Sequence, residues 1–243
     1  MQVYSGFDEF GQRCEVRRAG ASVRLYTEGI FHSQYHPLRL LEGNLWDLLW
    51  LPVLALPFER VRRVLVLGVG GGAVIRKLHA LYPGALIIGV DISRRHLAIA
   101  RRYFGVRAQN TPLYCADALA FVRHYRGPVF DVIVDDLFSG VAGEPSRVVE
   151  LNDRWYRQLA RLLHTQGLLV ANFAEQAEVF SCAPCAGAGR FDFASRWVWQ
   201  HRLYDNAIGA FYGSTVSDKA TRVKRALAAR GESWPDSLSL RQL

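Results

Sequence analysis

Val64-Leu65-Val66-Leu67-Gly68-Val69-Gly70-Gly71-Gly72, with Gly89-Val90-Asp91 downstream, decides the fold of this chain. Four apolar residues in a row, closed by glycine, read as a strand covered on both faces, the mark of a parallel sheet. The glycines let the backbone turn sharply, and a helical pattern from Ala73 to Leu81 follows at once. Pro83-Gly84 breaks that helix. Ala85-Leu86-Ile87-Ile88-Gly89-Val90 is a second buried strand, and it stops on Asp91.

The alternation continues outward. Arg94 to Phe104 is helical, with Leu97, Ala100 and Phe104 on one face. A short strand ends near Tyr114-Cys115-Ala116, before Asp117, and Leu119 to Tyr125 is helical. Val129 to Val134 is a strand that ends on Asp135-Asp136. A helix over Asn152 to Leu163 and a strand over Gly167 to Asn172 complete the series. Strands alternating with helices predict an α/β, Rossmann-like architecture with a mostly parallel sheet. Trp197-Val198-Trp199 and Ala207 to Tyr212 add two antiparallel strands, seven in all, before a basic helix from Lys219 to Ala229. Upstream, Leu38 to Leu56 carries Leu41, Leu45, Leu48 and Leu49 at helical spacing and reads as a buried helix ending at Pro57. Cys14 to Tyr35 alternates around a turn at Ala19-Gly20-Ala21, which predicts a small N-terminal β-hairpin or sheet. The expected division is 1–37 for that element and 38–243 for the main domain.

Ligands of an open parallel sheet bind beyond the carboxyl ends of its strands. Each polar feature above falls at such an end. Gly68, Gly70 and Gly72 follow the first strand, where a missing Cβ admits a ligand and the next helix offers unpaired N–H groups. Asp91 lies about 20 residues further on, the spacing of a carboxylate that accepts from ribose hydroxyls. Asp117 is placed to accept from an adenine amino group, and reads equally well as a helix N-cap. Asp135 and Asp136 stand at the central strand end, where two adjacent acids are unusual without a ligand. The form G-x-G-x-G, the extra acid at Asp117 and the antiparallel strands favour S-adenosylmethionine or a close relative over a dinucleotide.

Lys and Arg number 30 against 22 Asp and Glu, a formal net charge of +8. The arginines are scattered among helical segments, which reads as solvated helix faces rather than a nucleic-acid patch. Residues 2–13 are polar and carry no secretory signal. The longest apolar stretch, Leu45 to Phe58, contains Asp47, Pro52 and Pro57, and is too broken for a membrane span of ~20 residues. These features predict a cytoplasmic protein without a membrane partner. Cys182-Ala183-Pro184-Cys185 lacks a second ligand pair, so two thiols in a loop are expected rather than a metal or redox centre.

The run Val64–Leu78, Gly89-Val90-Asp91-Ile92, Arg101-Arg102-Tyr103-Phe104-Gly105, Ala116-Asp117-Ala118 and Phe130 to Asp135 resembles the spermidine synthase family, and within it the bacterial spermidine-synthase-like branch. The resemblance spans about residues 22–215. It implies a class I methyltransferase-type fold behind a small N-terminal β-element that in this family commonly mediates dimers. It implies that Gly68, Gly70, Gly71 and Gly72 line the cofactor's methionine or aminopropyl end and that Asp91 takes the ribose. Ile92 would pack on adenine, with Asp117-Ala118 at the amino group. His32 would contact the cofactor, and Asp135, with Asp136 beside it, would receive the proton of the attacking amine.

This chain departs from that pattern. The family has an aspartate where Gly71 stands, an acid that helps hold the amine of decarboxylated S-adenosylmethionine. Its absence favours a cofactor that keeps its carboxylate. The family's Asp-Ser-Ser-Asp-Pro segment is replaced by Asp135-Asp136-Leu137-Phe138-Ser139-Gly140, and Tyr35-His36-Pro37 is only a fragment of its Tyr-His-Glu pattern. Asp135, Asp136 and Glu144 remain as carboxylates for an amine. The expected function is therefore methyl transfer from a sulfonium to a small-molecule amine. The alternatives are aminopropyl transfer in polyamine synthesis, a cofactor-binding protein without catalysis, and a nicotinamide dehydrogenase.

Overall fold

The computed structural model describes residues 1–141, 144–185, 193–215 and 218–243, and for 139–141 and 144–145 the backbone only. The first four strands, β1 (Gln2–Phe7), β2 (Arg13–Ala19), β3 (Ser22–Thr27) and β4 (Ile30–Tyr35), pair antiparallel in sequence order. The hairpin or sheet expected from Cys14 to Tyr35 is thus three strands, β2 to β4, of a four-stranded sheet. One face of it, with Cys14, Val16, Val23 and Leu25, packs on Ala73, Ile99 and Phe104 of the main body.

Residues 38–56 are buried as expected but do not form one helix. Only α1 (Asp47–Trp50) is α-helical, and Leu51–Ala55 is a 3-10 turn. Two features stop the longer helix. Gly43 has φ +67°, and Asp47 Oδ2 accepts from the N–H groups of Glu42 and Gly43 (2.7 Å each) and Asn44 (3.3 Å), which builds a turn. Pro52 then supplies no N–H to the ladder.

The main sheet is built from β5 (Arg63–Leu67), β6 (Leu86–Asp91), β7 (Leu113–Cys115) and β8 (Phe130–Asp135), joined by α2 (Ala73–Leu81), α3 (Arg94–Arg102) and α4 (Ala118–His124). After β8 comes a two-stranded ribbon of β9 (Phe138–Val141) and β10 (Glu144–Arg147), then α5 (Asp153–Leu162) and β11 (Leu163–Phe173). The chain ends with α6 (Gln176–Ser181), β12 (Ser195–His201), β13 (Ala207–Tyr212), α7 (Lys219–Ala228) and β14 (Leu238–Gln242). The order is β14-β12-β13-β11-β8-β5-β6-β7, with β11, β8, β5, β6 and β7 mutually parallel and the other three antiparallel. The sheet has eight strands where the sequence predicted seven, because β14 adds an edge strand beside β12.

The apolar run of β5 is explained by its place. Val64 and Val66 face one buried layer with Leu48, Leu49 and Trp50, while Leu65 and Leu67 face the other with Trp155 and Leu159. A strand with both faces covered needs apolar residues at successive positions. No helix among the described residues is long and apolar enough to cross a membrane.

Candidate active site

A cavity of about 480 Å³ opens over the carboxyl ends of β5, β6 and β8, roofed by the N-terminal sheet. Gly68, with φ +84°, lies against the end of β8, and a Cβ there would fall 2.1 Å from the Asp136 carbonyl oxygen. Gly68 N donates to Val90 O (2.9 Å), and Gly72 N donates to Val69 O (2.7 Å), which closes the turn.

Asp91 fixes this turn. Its Oδ2 accepts from the N–H groups of Val69 and Gly70, 2.9 Å each, and its Oδ1 from Ser93 N–H at 2.8 Å. The carboxylate is buried and lines the cavity. Burial alone would raise its pKa, but His96 and the N–H groups of Ser93 and Gly70 outweigh this and hold it below the ordinary value.

His96 Nδ1 stands 3.8 Å from Asp91 Oδ1, an ion-pair rather than a hydrogen-bond distance, and its Nε2 lies 2.9 Å from Thr27 Oγ1 on β3. The imidazole thereby ties the N-terminal sheet to the acid under the glycine turn. Burial would lower its pKa, yet Asp91 and the Cys14 thiol hold it up, at about 10. His32 lies beside it, with ring centroids 5.6 Å apart, and lines the cavity. Burial first, then the charge on His96, push His32 down to about 4 against the pull of Asp91.

These two histidines predict opposite pH limbs in stability. His96 binds its proton more tightly when folded, so its contribution is complete below its ordinary 6.5 and is lost as pH rises toward about 10. His32 binds its proton less tightly when folded, so stability is lost as pH falls from 6.5 toward about 4. Denaturant melts across pH should show the alkaline limb removed in His96→Gln and the acid limb removed in His32→Gln. Profiles parallel to that of the unsubstituted protein in both variants would contradict the assignment.

The two adjacent acids part company. Asp135 is 0% exposed, and its Oδ2 accepts from Trp155 Nε1 (2.9 Å) and from the Arg147 guanidinium. Its Oδ1 has no partner among the described residues, and it does not reach the cavity wall. Asp136 does line the cavity. Asn172 Nδ2 donates to Asp136 Oδ1 (2.8 Å), and Asn206 Nδ2 donates to Asn172 Oδ1 (3.1 Å). Burial pushes Asp136 up to about 6; Asn172 and Arg147 oppose the rise, while Asp135 and Asp91 add to it.

Of the other residues singled out from sequence, His32, Gly68, Gly70, Ile92, Asp117 and Ala118 all line the cavity. Ile92 is 56% exposed, an apolar side chain left open at its rim. Asp117 caps α4, with one oxygen accepting from Leu119 N–H (2.8 Å), so both of its readings fit one position. Gly71 and Gly72 are not on the wall. A Cβ at Gly71 would lie 2.4 Å from Phe104 Cζ, and one at Gly72 2.6 Å from Val106 Cγ2. The expectation drawn from the missing acid at Gly71 is corrected accordingly: in this backbone a side chain there runs into Phe104 and not toward the cavity. The Glu144 side chain lies outside the described residues.

Several residues at the site carried no local signal. Asp8, Phe10 and Gln12 reach it from the N-terminal sheet, and Trp46, Tyr204 and Asn206 from segments read as core or connection. Arg147 neutralises Asp135 across the ribbon. The Cys182–Cys185 pair lies outside the cavity, at the end of α6. Among the described residues no group of three or more His, Cys, Asp or Glu is placed to hold a metal.

A family model described as a methyltransferase domain matches residues 64–167. The polyamine aminopropyltransferase of Vibrio vulnificus is 30% identical over 185 residues, covering 74% of this chain and 54% of that protein. Polyamine aminopropyltransferase 2 of Caldanaerobacter subterraneus subsp. tengcongensis is 30% identical over 112 residues, 45% of this chain and 37% of that protein. The chain thus spans about half, or less, of the length of these curated relatives. A probable spermidine synthase from Corynebacterium glutamicum superposes with a TM-score of 0.77 at 16% identity, covering 98% of this chain and 90% of that one. The fold is that of the spermidine-synthase and aminopropyltransferase-like, S-adenosylmethionine-binding transferases.

Proposed function

We propose that the cavity holds S-adenosylmethionine or its decarboxylated form, and that the chain transfers a group, a methyl by preference, from the sulfonium to an amine beside Asp136. The observation that carries this reading is the order of groups along one wall. The sheet order β8-β5-β6-β7 sets Asp136, then Gly68 and Gly70, then Asp91 and Ile92, then Asp117 and Ala118 around one cavity. Pockets of this size, apolar with a few placed polar groups, suit a nucleoside cofactor.

In this proposal Ile92 and Ala118 take the adenine faces, and the second oxygen of Asp117 accepts from its amino group. Asp91 has about four acceptor sites, of which three N–H groups take three, leaving one for a ribose hydroxyl. The bare backbone at Gly68 and Gly70 and the unpartnered His32 Nε2 remain for the chain on sulfur. Bound there, the cofactor supplies an electrophilic carbon on its sulfonium. Asp136, with a pKa of about 6, is ionised at neutral pH and accepts the amine's proton. Asn172 holds that carboxylate in place, and Trp46, Phe31 and Leu137 keep water from it. Residues 1–37 form the roof of this site and 38–243 the transferase domain.

The preference for a methyl now rests on charge rather than on Gly71. Of the four carboxylates that line the cavity among the described residues, Asp91 and Asp117 are assigned to the cofactor and Asp8 belongs to the turn after β1, which leaves Asp136 for the acceptor in a cavity also lined by Phe31, Leu45, Trp46, Leu137, Val148 and Val149. A diamine would bury its second ammonium without a partner, which costs several kcal/mol, of order 3–5. An amine on an apolar body has no such penalty. Aminopropyl transfer stays as the second reading, favoured by the names of the two bacterial relatives.

The test is a product assay by mass spectrometry. The protein is given each cofactor in turn with a panel of apolar monoamines and of linear diamines. Methylated monoamine is the expected product. Aminopropylated diamine would establish the second reading, and no product from any pair would leave cofactor binding without transfer.

A further inference from the structure

Behind the glycine turn, on the side away from the cofactor cavity, lies a second cleft of about 370 Å³. Arg18 on β2, Arg76 on α2, Arg102 at the end of α3 and Arg107 just after it converge on it, and among the described residues no Asp or Glu lines it. Among the described residues none of these four guanidiniums is within ion-pair distance of a carboxylate. Arginines elsewhere do find acids, as Arg17 does with Glu15 and Arg157 with Asp153.

Arg76 is fixed at the inner end. Its Nη1 donates to Gly105 O (3.1 Å) and its Nη2 to the Tyr35 hydroxyl (3.2 Å), while its Nε is buried without a partner among the described residues. Arg18, Arg102 and Arg107 are exposed at the mouth. Four like charges gathered in one concavity repel one another, and the field they focus favours a multiply charged anion. Guanidinium forks match the oxygens of phosphate in paired hydrogen bonds.

We propose that this cleft is a binding site for a small phosphate-type polyanion, held by Arg18, Arg76, Arg102 and Arg107. Its volume admits a diphosphate-sized group among the four guanidiniums. The site is distinct from the cofactor cavity: Phe104, whose ring abuts Gly71, lies between them and forms part of the cleft's own wall.

Titration calorimetry with inorganic pyrophosphate, at low and at physiological salt, tests this. The expected result is saturable binding to one site, weakened by salt and weakened at least tenfold in Arg102→Ser/Arg107→Ser and in Arg18→Ser. These exposed positions leave thermal melting unchanged, so lost binding does not stem from unfolding. Absence of saturable binding, or equal binding in the variants, would overturn the proposal. So would a single-stranded oligonucleotide that binds more tightly with length and is not displaced by pyrophosphate, since that marks a nucleic-acid surface.

Discussion

Asp136→Asn is expected to lower the rate of transfer by roughly 10²–10⁴-fold, the usual contribution of a positioned general base. The substitution keeps the shape and the contact with Asn172, because an amide oxygen still accepts from Asn172 Nδ2. It removes the charge and the proton acceptor. Cofactor affinity should stay within a few-fold, since the adenosine-facing groups are untouched. The unsubstituted protein should show a rate that rises through about pH 6, the value to which burial pushes Asp136, and the variant should lose that limb. A variant that keeps both rate and limb would remove Asp136 from the chemistry. Asp135→Asn should behave differently: it disturbs the buried contacts to Arg147 and Trp155 and so lowers stability, and by removing a charge that raises Asp136 it should move the limb to lower pH without abolishing it.

Asp91→Ala is expected to give the largest loss of both stability and cofactor affinity. Three backbone N–H groups lose their acceptor and His96 loses its counter-ion, all in a buried place. Leaving one buried charge unpaired costs ~3–5 kcal/mol, and orphaned donors add to it. Much of that cost belongs to His96, so Asp91→Ala/His96→Leu should recover part of the stability. It should not recover cofactor binding, because the turn at Val69 and Gly70 stays without its acceptor. Denaturant melts and calorimetry on the two variants separate these effects. A single variant as stable as the parent would contradict the role given to Asp91.

The centre of the parallel half was legible because β5, β6 and β8 are short apolar runs closed by glycine or acid. Val64 to Leu67 reads this way for a physical reason: alternate residues serve two different cores. The segment from Leu38 to Leu56 misled because helical spacing of leucines reports burial and not backbone path. Asp47, by accepting from three N–H groups ahead of it, chose a turn instead. Strand β14 escaped notice because five residues at a sheet edge carry little pattern.

The site divides along the same line. The place of Gly68, Gly70, Asp91, Ile92 and Asp117 on the cavity wall was legible because each follows or ends a readable strand. The different fates of Asp135 and Asp136 could not, because they depend on Arg147 crossing from the ribbon and on Trp155 from α5. Gly71 gave a persuasive argument from sequence that the backbone does not support, since only coordinates tell which way an absent side chain would point.

The central claim is that this cavity binds an adenosyl sulfonium, and titration calorimetry with S-adenosylmethionine, its decarboxylated form and S-adenosylhomocysteine tests it most directly. Saturable binding of one equivalent of at least one of the three, lost in Asp91→Asn and kept in Asp136→Asn, is the expected result. Failure of all three to bind, or binding untouched by Asp91→Asn, would contradict it.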